Sequence, residues 1–311
     1  MIEKVLITGI SGFCATHLAR YLSSQRKLVL FGLDINNSSP EGTPIDEYIS
    51  ADICDYKQIS RIIQRIKPDK IFHLAGRFSG SPVEIYNVNF LGGVNLLESI
   101  KEFVPKSRVL LVGSAAEYGY VPAENMPIKE DFRCNPIDPY GLSKFALTLG
   151  GLNYTRANSL KVCVARPFNI IGAGIPPTLV IGAILQRARK ALKDGSYVIK
   201  IGNLDTKRDF IAVEEVVEGY IQLINAEQWG EIFNICSGQS RSIRSVVEIL
   251  LSNSRKPFKL EVDSTLVRTS DVKTVFGSFE KARLSFDFNP KTTIQESLTA
   301  AWNFEIGGLN T

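Results

Sequence analysis

Residues 8–18 read TGISGFCATHL and follow directly on the apolar run Val5, Leu6 and Ile7. Gly9 and Gly12 lie three apart, and Ala15 stands where a third glycine would continue the spacing. A buried strand, a glycine turn and a helix starting near Phe13 form the context of a dinucleotide loop. Gly9 allows the tight turn, Gly12 lets backbone N–H groups approach a pyrophosphate, and the helix N-terminus adds positive potential. Ala15 concerns the packing of helix on strand, where a methyl group is tolerated. Taken alone, the stretch is equally well a plain strand-to-helix turn.

Working outward, apolar runs at 5–7, 28–33, 70–74, 109–112 and 162–165 read as strands buried on both faces. Helical patterns at 16–24, 56–66, 87–103 and 139–157 alternate with them. Such alternation predicts an α/β fold with a doubly wound parallel sheet and right-handed crossovers. After Arg166 the texture changes to RPFNIIGAGIPP, which leads to a helix at 179–193. The run 208–212 is expected to return to the sheet, followed by a helix at 214–225 and a strand at 231–235. Helices at 243–252 and 294–304 close the chain. The organisation expected is a dinucleotide-binding domain of residues 1–168 plus 205–236. A smaller, interleaved substrate domain takes 169–204 and 237–311.

The chain has 311 residues, a net charge of +4 and 44% hydrophobic residues, without basic blocks, so neither a nucleic-acid surface nor a polybasic membrane patch is expected. Cys14, Cys54, Cys134, Cys163 and Cys236 are odd in number and scattered, which suggests reduced thiols. His17 and His73 are the only histidines, which makes a metal site built on imidazole and thiolate improbable. The opening MIEKVLITGI is too short an apolar run for a signal peptide, and no stretch of about 20 apolar residues suggests a membrane span. A cytoplasmic protein is expected.

Asp34 ends LFGLDIN about 20 residues beyond the loop, where a carboxylate bonds a ribose hydroxyl and favours NAD over NADP; a loop or capping aspartate is the other reading. Asp52 in ADICD could bond an adenine amino group or cap a helix. HLAGR, residues 73–77, would line a cofactor through Leu74, Ala75 and Gly76, with His73 a packed strand residue. Tyr140 and Lys144 in PYGLSK share one helix face, and Tyr140 is the one tyrosine with lysine at that spacing. A cation there is expected to lower the phenol's pKa for proton transfer. Ser114 follows RVLLVG at the C-terminal edge of the sheet, where its hydroxyl could bond a substrate oxygen or simply be solvated.

With these pieces in order, the chain resembles the extended short-chain dehydrogenase/reductases that act on nucleotide sugars. TGISGFCATHL matches their TGxxGFxGxHL loop, SAAEYG places Ser114 four residues before Tyr118, and YGLSK supplies YxxxK. The resemblance spans essentially the whole chain. It implies a Rossmann-type fold, Ser114, Tyr140 and Lys144 as catalytic residues, and a cofactor held by Gly9, Ser11, Gly12, Phe13, Cys14, Asp34, Asp52, Ile53, Leu74, Ala75, Gly76, Tyr140, Lys144 and Pro167. Dehydratases of the family carry an acid just after the Ser/Thr, where Ala115 and Ala116 stand here, which argues against elimination chemistry. RPFNIIGAG, VIKIGNLDTKRDFIAVEEVVEGY and EIFNICSGQSRSIRSVVEILL look most like reductases of GDP-4-keto-6-deoxy-mannose that form GDP-D-rhamnose. Departures from them are Ala15, and Ile170 where many have histidine. The likeness implies NAD(P)H as cofactor, a nucleotide-diphosphate sugar, GDP-linked by preference, as substrate, and a homodimer. Substrate contacts implied are Ser114, Glu117, Tyr118, Asn169, Arg208, Arg268 and Asp271; surface ion pairs would equally account for the two arginines. A 4-epimerase, a talose-forming reductase and a non-catalytic dinucleotide sensor are the competing expectations.

Overall fold

The computed structural model describes residues 2–25, 27–266 and 273–309. Its first half alternates strand and helix: β1 (Glu3–Thr8), α1 (Phe13–Ser23), β2 (Leu28–Asp34), β3 (Glu47–Ser50), α2 (Tyr56–Ile66) and β4 (Lys70–His73). Then come α3 (Pro82–Tyr86), a π turn at Asn87–Leu91, α4 (Gly92–Phe103), β5 (Arg108–Val112), α5 (Pro139–Asn158) and β6 (Lys161–Pro167). The second half holds β7 (Asn169–Ile171), α6 (Val180–Asp194), β8 (Val198–Ile201), β9 (Lys207–Arg208), β10 (Phe210–Ala212), α7 (Val213–Asn225) and β11 (Ile232–Ile235). It ends with β12 (Arg241–Ser242), α8 (Ile243–Leu251), β13 (Lys259–Val262), β14 (Thr274–Val275), α9 (Glu280–Phe286) and α10 (Ile294–Ile306).

Seven parallel strands in the order β11-β6-β5-β4-β1-β2-β3 make the main sheet. Side chains alternate across it as strand geometry requires: Val5 and Ile7 face α1 and α7, while Leu6 faces the opposite layer of α2, α4 and α5. On α1, Ala15, Leu18, Ala19 and Leu22 recur at helical spacing and fill the first layer. On α2, Ile59, Ile63 and Ile66 fill the other, with Asp55 capping the helix through the Gln58 N–H. The chain leaves β1 toward β2 on one side and returns as β4 on the other. A crevice therefore opens at the C-terminal ends of these strands, the place where open α/β sheets bind ligands.

A separate core joins α6, α8 and α10, with Ile184, Val247 and Trp302 fully buried in it. The expected return of 208–212 to the main sheet is corrected here. β9 pairs with β12 and β14, and β10 pairs with β7, so both form small sheets. Asp209 between them is the cause: it is fully buried and accepts the N–H groups of Ser237, Gly238 and Gly277, which ties this segment to its own loops. The edge position beside β6 belongs to β11. Among the described residues, no helix is long and apolar enough to cross a membrane, and no group of three or more His, Cys, Asp or Glu is placed to hold a metal ion. All five cysteines are free thiols.

Candidate active site

The crevice is a cleft of about 530 Å³ that runs from the glycine turn past Ser114, Tyr140 and Lys144 to Asn169 and Arg208. At its floor Gly9 adopts φ +71°, and a Cβ built there would lie 2.6 Å from the Ala75 Cα. Gly12 caps α1 with no side-chain bond to the first turn, and that turn carries no acidic residue. The leading N–H groups of Phe13, Cys14 and Ala15 thus face the cleft at a helix N-terminus, a donor set suited to a phosphate. Leu74, Gly76 and Pro167 line the same cleft. These residues fit a dinucleotide.

Asp34 accepts the Ser11 N–H at 3.0 Å through one carboxylate oxygen and the Asn36 N–H at 3.3 Å through the other. It is therefore held at the tip of β2 beside the glycine turn. Asp52 accepts the Cys54 N–H at 2.9 Å and caps no helix, since Asp55 does that for α2. Ile53 is buried in the core beneath α4. His73 is fully buried, bonded through Nδ1 to the Thr8 hydroxyl at 2.7 Å, and burial with the Lys144 charge lowers its pKa to about 3, so it is neutral.

Ser114 and Tyr140 meet because two short segments approach closely. Asp138 caps α5 by accepting the Gly141 N–H at 2.7 Å, and Pro139 opens the helix. Gly141 has no side chain, and the Ala116 carbonyl oxygen lies 2.5 Å from where its Cβ would be. Any larger residue would push α5 off the Ser114 turn. The Ser114 hydroxyl accepts the Ala116 N–H at 3.1 Å, which leaves its own proton for the cleft side, where it bonds the Tyr140 oxygen. Lys144 is buried and donates from Nζ to the Val112 carbonyl at 2.9 Å.

The expected lowering of the Tyr140 pKa by Lys144 is overturned. Burial pushes the phenol up to about 12 against the opposing bond from Ser114. Burial also lowers Lys144 to about 8, opposed by the charge of Glu117. Desolvation is the largest cause at both groups, outweighing the Ser114 bond at Tyr140 and the Glu117 charge at Lys144. Tyr140 accordingly keeps its proton at neutral pH, the state a proton donor needs.

The expectation that Glu117 and Tyr118 contact substrate is also corrected, because both are fully buried behind the cleft wall. Glu117 pairs with Arg166 at 2.8 Å, and the Tyr118 hydroxyl donates to the Asn234 side-chain oxygen at 2.7 Å. The segment Ala115–Tyr118 is a single 3-10 turn whose last two residues, Glu117 and Tyr118, point inward. Asn169 lies at the cleft and donates from its amide to the Asp209 carbonyl at 2.8 Å; Arg208 also lines the cleft and donates to the Lys207 carbonyl. Arg268 and Asp271 lie outside the described residues. Three contributors have no mark in the sequence reading. Phe78 packs edge-on against the Tyr140 ring at 5.0 Å, Ile137 lines the cleft mouth, and buried Asn89 bonds both the Arg77 backbone and Ser143.

Sheet order, glycine turn and the Ser114/Tyr140/Lys144 arrangement together define an extended short-chain dehydrogenase/reductase, an NAD(P)-dependent oxidoreductase. Residues 6–300 match the family model described as GDP-mannose 4,6 dehydratase, and the chain belongs to that family. It is 28% identical over 308 residues to a GDP-6-deoxy-D-mannose reductase of Pseudomonas aeruginosa, covering 96% of each chain. It is 28% identical over 282 residues to a GDP-6-deoxy-D-talose 4-dehydrogenase of Aggregatibacter actinomycetemcomitans, covering 89% of each. The solved structure of RMD from Pseudomonas aeruginosa complexed with NADPH superposes with a TM-score of 0.85 at 28% identity, over 98% of this chain and 99% of that one. With a putative UDP-glucose 4-epimerase of Methanocaldococcus jannaschii, 26% identical over 96% of this chain and 97% of that one, the relatives support reductase or epimerase-type chemistry on a nucleotide sugar.

Proposed function

We propose that this chain reduces the C4 ketone of a nucleotide-linked 4-keto-6-deoxyhexose, GDP-4-keto-6-deoxy-D-mannose to GDP-D-rhamnose. The observation that carries the reading is a cleft wall with a proton-bearing Tyr140 bonded by the Ser114 hydroxyl, but with Ala115 and Ala116 where an eliminating enzyme needs an acid. Bound NAD(P)H supplies the hydride. Ser114 donates to the carbonyl oxygen, a bond that strengthens as charge develops there. Tyr140 gives its proton to the same oxygen. Lys144 holds the nicotinamide ribose, while the N-terminus of α1 and Asp34 hold the pyrophosphate and the adenosine ribose. Asn169 and Arg208 face the nucleotide sugar, and guanidinium suits a diphosphate because its fork bonds two oxygens. The division into residues 1–168 plus 205–236 and residues 169–204 plus 237–311, and a homodimer, complete the proposal.

Incubation with GDP-4-keto-6-deoxy-mannose and NADH or NADPH, with NMR of the product sugar, tests it. Oxidation of one nicotinamide per product with a rhamno configuration is expected. A talo product would reassign the face of attack, and an interconverted sugar without net consumption of cofactor would make the chain a 4-epimerase. Asp34→Asn keeps an oxygen for the Ser11 N–H but removes the charge, so the NADPH-to-NADH affinity ratio is expected to rise at least about tenfold, as loss of one like-charge contact implies. Titration of both cofactors reads this directly. The pH profile follows from Lys144: protonated below about 8 and neutral above, it places the basic limb of kcat/KM near that value, well short of Tyr140 at about 12.

A further inference from the structure

We infer that Glu117 and Arg166 are positioning residues for this reaction, a buried ion pair that aims the Ser114 hydroxyl and, through its bond to Thr148, places a negative charge one turn along α5 from Lys144. Three donors converge on the two Glu117 oxygens: the Ser114 N–H at 2.8 Å and the Thr148 hydroxyl at 3.1 Å on one, Arg166 Nε at 2.8 Å on the other. Burial pushes this carboxyl upward and the three donors oppose it. Every one of them gives a hydrogen to the carboxyl group, an arrangement that suits the ionised form. The Ser114 hydroxyl and the Glu117 carboxylate form a reciprocal capping box, so the carboxylate fixes the backbone that carries the hydroxyl.

The pair is held from behind. The Arg166 guanidinium lies over the Tyr118 ring at 4.8 Å, Tyr118 bonds Asn234, and the Asn234 N–H donates to Glu130 at 2.8 Å. Gly113 makes room for it, since a Cβ there would lie 2.2 Å from a Glu117 oxygen. The stretch GSAAEYG thus has a single account: room at Gly113, the cap at Ser114, the anion at Glu117. Facing Lys144 are neutral His73 from β4, the Val112 carbonyl from β5, and Glu117, whose charge raises its pKa against burial. Facing Glu117 are Arg166 from β6, Thr148, Tyr140 and Lys144 from α5, and Cys134. Among these groups Glu117 is the anion that acts on Lys144 through the protein interior.

The inference rests on the roles proposed for Ser114 and Lys144, and its test is separable from the substrate assignment. Glu117→Gln, Arg166→Met and the double variant are prepared in the full chain. NMR of isotope-labelled lysine follows the Lys144 titration, identified by its loss in Lys144→Met. In Glu117→Gln the Lys144 midpoint is expected to fall from about 8 by about one pH unit, the usual effect of removing one nearby opposite charge. Leaving Arg166 unpaired should also lower Tm. The double variant removes both charges, so Tm is expected to return to within about 2 °C of wild type, while the lowered midpoint persists. Its kcat should stay about tenfold down, the size of one lost positioning contact. A midpoint unmoved in the double variant overturns the inference, as does recovery of midpoint and kcat together with Tm, which would make the pair purely structural. A wild-type chain that reduces no keto sugar would sink the functional proposal and leave the lysine titration to decide this one.

Discussion

Tyr140→Phe is expected to lower kcat for the sugar ketone by roughly 10²–10⁴-fold, the range for loss of a positioned proton donor, while the Kd for NADH changes less than about threefold. The two effects separate because the substitution removes one oxygen and keeps the ring. The ring retains its edge contact with Phe78 at 5.0 Å and its place on α5, one turn before Lys144. The lost oxygen is the proposed proton carrier: its pKa of about 12 keeps it protonated across the working range, and the Ser114 hydroxyl is assigned only a hydrogen bond. Steady-state turnover and fluorescence titration of NADH make the comparison. Turnover near the wild-type value would show that the proton comes from elsewhere and remove Tyr140 from the mechanism.

How far the sequence reaches can be judged residue by residue. The helix read at 56–66 is α2 to the residue, because Ile59, Ile63 and Ile66 recur at helical spacing and Asp55 caps its start. The parallel sheet follows from apolar runs buried on both faces. By contrast, 87–103 reads as one helix, yet the chain makes a π turn at Asn87–Leu91 first. A turn closed by one extra residue keeps the same composition and periodicity, so nothing in the letters marks it. The run 208–212 reads as one strand of the main sheet, but it divides into β9 and β10, whose pairing is set by the distant glycines and Ser237 that hold Asp209.

The site divides in the same way. Ser114, Tyr140 and Lys144 are read from fixed offsets within local motifs, and the structure brings all three to one cleft. Glu117 is not, because its direction depends on the inward pitch of a four-residue 3-10 turn and on Arg166, which is 49 residues away. The same limit explains the reversal at Tyr140. Spacing shows a cation four residues from a phenol, whereas the pKa of each depends on how deeply both are buried.

Gly9 and Gly12 look alike in TGISG, yet their substitutions are expected to fail differently. In Gly9→Ala the backbone would hold alanine at φ +71°, which costs about 1–2 kcal/mol. Its methyl would also lie 2.6 Å from the Ala75 Cα and 2.7 Å from the Ala75 N, both backbone atoms. Relief requires the ends of β1 and β4 to part, and these ends are the floor of the cleft. Strain and overpacking together should cost about 3–5 kcal/mol. Gly12 sits at φ −74°, ψ 154°, which alanine adopts freely, and a methyl there would meet only the Gly9 carbonyl at 3.0 Å. Gly12→Ala should therefore keep a near-normal Tm but fill the space through which a pyrophosphate reaches the α1 N–H groups, weakening NADH by about a hundredfold, or 2.7 kcal/mol. Thermal denaturation without cofactor and NADH titration distinguish the two variants. Equal losses of Tm would mean that both glycines serve the turn alone, and unchanged affinity in Gly12→Ala would move the dinucleotide away from this helix.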